Sequence, residues 1–101
     1  MTFKQFNPPH PGGFIKRVYI EPHDDISANS IALKLDVSPS TFNRLINEKS
    51  DISPEMAIRL SKVLGRTPES WMLMQDNYDL AKVSKTLDFS KCEPIQFSDV
   101  G

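Results

Sequence analysis

The sequence contains one cysteine, no apolar run long enough to cross a membrane and no excess of positive charge. Because Cys92 is the only cysteine among 101 residues, an internal disulfide is excluded, which favours the reducing cytoplasm. A membrane-spanning helix needs about 20 consecutive apolar residues, so no membrane partner is expected. The opening segment MTFKQFNPPH also lacks the apolar centre of a signal peptide. We therefore expect a cytoplasmic protein.

The net charge of −1 gives no electrostatic signature of a nucleic-acid binder, but the charges are unevenly spread. Residues 1–66 hold nine Lys and Arg against seven Asp and Glu, whereas residues 67–101 hold three against six. An asymmetry of this kind is typical of a chain whose two parts have different roles. A difference this small also arises by chance, so both interpretations stay open.

Residue types that carry catalysis or bind metals are scarce and scattered. His10, His23 and Cys92 lie far apart and show no metal-ligand spacing, and no glycine-rich phosphate loop is present. Asp24 and Asp25 precede a helix, where carboxylates favour the positive end of the helix dipole. The sequence therefore predicts a protein that is not an enzyme and that has no cofactor and no metal.

Repeated helix starts dominate the pattern that is present, and they predict an all-α fold of five helices. Capping residues followed by proline, which suits the first helical position, occur at 38–39, 53–54 and 67–68, while Pro11 and Ser27 begin two further helices. The chain divides into an extended arm over residues 1–10, a helical domain over 11–83 and a tail over 84–101. The tail is either disordered or a short strand that docks on a partner.

The second and third helices are separated by only three or four residues, which is typical of a helix-turn-helix. Asp36 falls where a residue of left-handed conformation ends the second helix, a position that suits glycine better than aspartate. In the third helix Phe42, Leu45 and Ile46 recur at the spacing of one buried face. The outward face is polar and has no acidic residue; it consists of Ser40, Thr41, Asn43, Arg44 and Asn47.

This outward face has the chemistry of a DNA-recognition helix, whose N-terminal residues meet base edges in the major groove. We expect base contacts from Pro39, Ser40, Thr41, Asn43 and Arg44. Arg44 bonds either guanine, through two hydrogen bonds, or a phosphate. Residues at helix ends and in the following loop are better placed for phosphates; these are Ser27, Asn29, Ser38, Asn47 and Lys49. The alternative is a solvated helix face that contacts no DNA.

The fifth helix is apolar on more than one side. One stripe consists of Trp71, Met74, Tyr78 and Ala81, while Met72, Leu73 and Leu80 lie off it. Since a domain of this size offers one core side, the second apolar side is predicted to contact another subunit. The alternative is that these residues are simply exposed.

Several segments carry a family resemblance. They are the helix-turn-helix over 27–49, HPGGFI at 10–15, SPE at 53–55, RLSKVLG at 59–65 and TPESWMLMQDNYDL at 67–80. The most specific pattern, W-x-x-x-Q-x-x-Y-D-L, occupies residues 71–80. Together these segments, within about residues 8–82, resemble the HigA antitoxins, also called the VapI (virulence-associated protein I) group of phage-repressor-like regulators.

The resemblance implies a five-helix, lambda-repressor-like protein that dimerises through its C-terminal region. It further implies binding to a palindromic operator in double-stranded DNA, repression of its own operon, and neutralisation of a partner toxin, usually a RelE-like mRNA-cleaving protein. We accordingly expect a homodimer whose interface includes Trp71, Met72, Leu73, Gln75, Tyr78 and Leu80. A stand-alone transcription regulator and an interaction module that binds no DNA are the alternatives.

Two positions depart from the family pattern, which often has glycine where this chain has Asp36 and Glu48. Both residues add a negative charge close to the expected position of the DNA backbone. We expect them to weaken or retune the affinity for DNA.

Overall fold

The computed structural model describes residues 7–98, and this part of the chain is helical without any strand. The helices are α1 (Pro11–Ile15), which continues into a π-helical turn (Lys16–Ile20), then α2 (Ala28–Leu35), α3 (Pro39–Ile46), α4 (Pro54–Leu64) and α5 (Pro68–Thr86). The predicted all-α, five-helix fold is confirmed. No helix within residues 7–98 is long and apolar enough to cross a membrane.

Local capping chemistry sets the helix starts, as the sequence predicts. Ser38 and Ser53 each accept a hydrogen bond at 3.1 Å from the backbone N–H three residues ahead, and Thr67 does so at 3.0 Å. Ser27 and Ser30 form a reciprocal capping box, in which each side chain bonds the backbone N–H of the other. These bonds satisfy helix N–H groups that would otherwise have no partner.

His10, the last residue of the predicted extended arm, has an extended backbone and caps α1. Its Nδ1 accepts a hydrogen bond of 2.9 Å from the Gly12 N–H, its side chain is buried, and its ring packs edge-on against Tyr78 at 4.8 Å. His10 thus joins the extended arm to the helical domain, and α1 begins at Pro11 as the sequence predicts. Residues 1–6 of the predicted arm lie outside the described part of the chain.

The first helix is less regular than the periodicity of its apolar residues suggests. After Ile15 the backbone widens into a π-helical turn, in which the Glu21 N–H bonds the Lys16 carbonyl at 2.9 Å. Val18, expected on the buried face, is 42% exposed. A π-helical turn changes the direction in which the following side chains point, which accounts for the displaced face.

The predicted apolar faces of α2, α3 and α4 pack together into one core around α1 and the first half of α5. Trp71 is the largest fully buried side chain. The core also holds Ile15, Ile31, Ala32, Leu35, Phe42, Leu45, Ile46, Ile52, Ala57 and Leu60. Because both helices of the helix-turn-helix pair are anchored here, α3 is held at a fixed orientation relative to the other helices.

The boundary predicted at residue 83 does not match the end of α5, which continues to Thr86. Residues 87–98 form neither helix nor strand and are exposed. Within this segment the Ser90 backbone N–H, followed by the Ser90 hydroxyl, holds the pKa of the Asp88 carboxyl below its ordinary value.

Candidate nucleic-acid interface

The turn between α2 and α3 is built on Asp36 in the left-handed conformation, with φ 60° and ψ 45°. The Val37 N–H bonds the Ala32 carbonyl at 3.1 Å, which is the six-residue bond of a Schellman cap. The predicted left-handed position is therefore confirmed. The tight cap leaves only residues 36–38 between the end of α2 and the start of α3.

Arg59 of α4 fixes this turn from outside the helix-turn-helix. Its Nη1 donates to the Leu35 carbonyl at 2.8 Å and to the Asp36 carbonyl at 3.3 Å. Its remaining donors hold the Glu55 carboxylate at 2.9 and 3.1 Å. Arg59 thus satisfies the last carbonyls of α2 and positions α3. The sequence patterns did not indicate this role; the only local signal is the Glu55–Arg59 spacing of four residues.

Asp36→Gly is expected to raise the free energy of unfolding by about 1 kcal/mol, because glycine adopts the left-handed conformation without a steric penalty. The substitution also removes the ion pair between Arg59 and the Asp36 carboxylate. That pair is 3.9 Å long and exposed at the aspartate, so it contributes little. Urea unfolding measures the change. Asp36→Ala removes the charge but keeps a Cβ in the left-handed conformation. An equal gain from Ala would show that charge, and not backbone strain, is the cause.

Three hydroxyls at the start of α3 form a directed chain. The Ser38 hydroxyl donates to Thr41 Oγ1 at 2.8 Å and lies 3.2 Å from the Ser40 hydroxyl. Since Ser38 has one hydrogen, Ser40 donates in the second contact. The Thr41 hydroxyl hydrogen has no acceptor within residues 7–98 and is free to meet a DNA oxygen or nitrogen.

Arg44 is anchored at the opposite end of α3. Its Nη2 donates to the Lys49 carbonyl at 3.1 Å, and the Lys49 N–H returns a bond of 2.8 Å to the Arg44 carbonyl. One of the five guanidinium N–H donors is used in this way, which leaves four for a ligand. The contact holds the guanidinium towards the loop that follows the helix.

The other residues predicted to contact DNA also lie at the surface. Pro39, Ser40 and Thr41 are exposed in the first turn of α3, and Asn47 and Lys49 are exposed at its end. Ser27 and Asn29 are exposed at the start of α2, which packs against α3. Asn43 differs because it is half-buried. The structure thus leaves the polar side chains of residues 38–49 accessible, while Phe42, Leu45 and Ile46 face the core. Ser27 and Asn29 lie on the neighbouring helix.

Two of the residues predicted for a dimer interface are wrongly placed, because they belong to the protomer's own core. Trp71 is 0% exposed, and its Nε1 donates to the Gly65 carbonyl at 2.9 Å. Gln75 is 3% exposed and accepts a bond of 2.8 Å from the Ile52 N–H. An apolar or amide side chain within a repeating pattern indicates burial, and the pattern alone does not distinguish a core from an interface.

The remaining interface candidates separate into two groups. Met72 and Tyr78 are half-buried, with Met72 packed against the core. Leu73 and Leu80 are 58% and 69% exposed, and Leu87 is 59% exposed. Leu73 and Leu80 are spaced by seven residues on the outer side of α5, and we call these two the leucine row; Leu87 follows at the same spacing but lies just beyond the end of the helix.

No group of three or more His, Cys, Asp or Glu side chains within residues 7–98 is arranged to hold a metal ion. The surface around α3 consists of hydroxyl, amide, guanidinium and ammonium groups. Such groups bind phosphates and base edges.

Comparisons with known proteins agree with this arrangement. A helix-turn-helix family model matches residues 23–71, which span α2, α3, α4 and the start of α5. An uncharacterised helix-turn-helix-type transcriptional regulator of Escherichia coli K12, YddM, is 38% identical over 88 residues, covering 87% of this chain and 92% of that protein. Virulence-associated protein A of Dichelobacter nodosus is 36% identical over 96 residues, covering 94% of this chain and 92% of that protein.

Solved structures of antitoxins share the fold. The Pseudomonas aeruginosa antitoxin HigA, solved with the higBA promoter, gives a TM-score of 0.73 at 34% identity and covers 88% of this chain and 99% of that one. An addiction module antidote protein of the HigA family from Coxiella burnetii gives 0.68 at 30% identity, covering 82% of this chain and 98% of that one.

Proposed function

Because the chain belongs to the HigA/VapI-type family of phage-repressor-like helix-turn-helix regulators, we propose that it represses its own operon by binding a palindromic operator. We further propose that it acts in the cytoplasm as the antitoxin of a RelE-like mRNA-cleaving toxin. The toxin part of this proposal rests on the family, and the DNA part also has support from the surface of α3.

The observation that carries the DNA proposal is the accessible polar surface over residues 38–49. From Ser38 to Asn47 it has no carboxylate, it begins with the free Thr41 hydroxyl donor, and it ends with the Arg44–Lys49 pair. The helix that bears it is fixed from both sides by the core and by Arg59. A preorganised, rigid surface of hydrogen-bond donors suits the major groove, because little conformational freedom is lost on binding.

A dimer is part of the proposal because one protomer offers few cations to DNA. Affinity for the DNA backbone grows with the number of phosphates neutralised, and two copies double that number. The leucine row provides an exposed apolar surface for a second copy. In such a dimer the two copies of α3 would address half-sites about one DNA turn apart.

The first experiment is a fluorescence-anisotropy titration of the protein against DNA from immediately upstream of its reading frame, with scrambled DNA as control, at two salt concentrations. Tight, sequence-selective and salt-sensitive binding is expected. Equal, weak binding to both DNAs would contradict the repressor proposal. It would favour the interaction module that Asp36 and Glu48 suggest through their charge.

The antitoxin proposal needs a separate test. A toxin gene next to this reading frame is expected, and its product should arrest growth when expressed alone but not when co-expressed with this chain. Selective operator binding without such a neighbour or such a rescue would leave the stand-alone regulator as the function.

Arg44→Ala distinguishes the two contacts open to this side chain. Since the bond to Lys49 holds the guanidinium at the far end of α3, we expect a phosphate contact. The variant should then weaken binding to operator and scrambled DNA equally. It should also reduce the slope of log affinity against log salt concentration, here called the salt slope, by about one per protomer. The same titration checks this. A selective loss of roughly 1–3 kcal/mol on the operator would instead place Arg44 on a guanine.

A further inference from the structure

A polar cleft of about 290 Å³ lies between the C-terminal end of α3 and the π-helical turn. Asn47 and Glu48 line it on the α3 side, and Lys16, Arg17 and Glu21 line it on the other side. Asn47 also ends the recognition helix described above, so the cleft continues the proposed DNA surface beyond α3. Neither Lys16 nor Arg17 was expected at this surface from the sequence.

Glu48 turns back into this cleft. Its backbone is left-handed, with φ 62°, and its N–H bonds the Leu45 carbonyl at 3.0 Å. Its carboxylate lies over Gly13, in space that any other residue at 13 would fill with its own Cβ. The Arg17 Nη1 lies 3.1 Å from the same Cβ position. The absence of a side chain at Gly13 therefore brings a carboxylate and a guanidinium to one place.

The two cations of the cleft keep free bonding capacity. Within residues 7–98, no carboxylate oxygen lies within 4.0 Å of the Lys16 or Arg17 side-chain nitrogens, and neither side chain donates a hydrogen bond. Glu48 is thus close enough to Arg17 to act through its charge but does not saturate the guanidinium. A phosphate oxygen would bring the same charge and the same acceptor geometry.

We propose that Lys16 and Arg17 bind a phosphate of the DNA backbone at the edge of the operator half-site, and that Glu48 is a built-in competitor for that phosphate. This inference rests on the proposed DNA binding and deepens it. Glu48 lowers affinity without affecting which bases are read, because it acts on a backbone contact and lies beyond the end of α3. The chain therefore binds DNA less tightly, and its binding is salt-sensitive and reversible.

The test is a double-mutant cycle of Arg17→Gln and Glu48→Gln, titrated against upstream and scrambled DNA over a series of salt concentrations. Glu48→Gln is preferred to Glu48→Gly because glycine would also relieve the left-handed backbone. Arg17→Gln should weaken both DNAs equally and reduce the salt slope by about one per protomer. Glu48→Gln should raise the affinity for both DNAs by roughly two- to fivefold at low salt, which is the effect of one exposed charge interaction. In the Arg17→Gln background that gain should shrink, because only Lys16 then remains to bind the phosphate.

Matched controls separate a local competitor from a change in overall charge. Glu93→Gln and Lys91→Gln make the same charge changes in the exposed segment after α5 and should move affinity little. A gain from Glu48→Gln that is undiminished without Arg17, or that Glu93→Gln reproduces, would overturn the inference. An Arg17→Gln protein with unchanged affinity and salt slope would also overturn it. In that case, selective DNA binding by the wild-type protein would leave the repressor proposal intact. Wild-type protein that binds neither DNA would overturn both.

Discussion

Trp71→Ala is expected to lower the free energy of unfolding by about 3–5 kcal/mol, the cost of removing a large buried aromatic side chain. Trp71 is fully buried, and its indole N–H bonds the Gly65 carbonyl at the end of α4. Phe14 and Tyr19 pack against its ring at 6.1 and 6.3 Å. The substitution therefore creates a cavity and also leaves a helix-terminal carbonyl without its partner. Urea unfolding followed by circular dichroism measures the loss.

Trp71→Phe is the matched control, because it keeps most of the ring volume but removes the N–H donor. It should lose clearly less stability than alanine. Since both variants lack the N–H, the difference between them measures ring packing, and the loss that remains in Trp71→Phe includes the hydrogen bond. Because Trp71 is buried within the protomer, neither variant should change the dimer fraction except by unfolding. Unchanged stability with a reduced dimer fraction would instead place Trp71 at the subunit interface.

Gly12→Ala is expected to destabilise the protein by roughly 3 kcal/mol, at the upper end of the cost of overpacking. A Cβ at this position would overlap the Leu45 carbonyl oxygen and would press on the Ile46 Cα at 3.1 Å. Both contacts are with the backbone, which has no rotamer to change. Helices α1 and α3 would have to separate, and the recognition helix would move with them. Thermal unfolding and operator affinity should therefore fall together.

Gly13→Ala, one residue along, should be tolerated. There the added methyl meets the end of the Glu48 side chain and the Arg17 guanidinium, and both can move aside. Alanine also favours a helix over glycine by roughly 0.5–1 kcal/mol. If Gly12→Ala were tolerated as well, the close approach of α1 to α3 would not be required for stability.

The sequence predicts those features that depend on neighbours along the chain. Ser38 with Pro39 begins α3 by a cap that involves only Thr41, and Asp36 ends α2 by a local backbone conformation. Local chemistry of this kind can be recognised in a single sequence. The helix count and the helix-turn-helix follow from it, and the family comparisons agree with both.

Features that depend on distant partners could not be predicted in the same way. Arg59 reaches a carbonyl 24 residues earlier, and Gln75 bonds an N–H 23 residues earlier. Neither spacing has a periodicity that would reveal it. The same limitation explains why Trp71 and Gln75 were expected at an interface, and why the direction of the Glu48 side chain could not be anticipated.

The bond from the Ile52 N–H to the Gln75 Oε1 links α5 to the loop that leads from α3 into α4. The Gln75 Nε2 in turn donates to the Asp79 Oδ1 at 3.0 Å. In the proposed dimer, α5 carries the leucine row on its outer side. The crossing angle of the two α5 helices would then set the distance between the two recognition helices. Operator spacing would be encoded in the leucines of α5 and base preference in α3, so that each could diverge in evolution without the other.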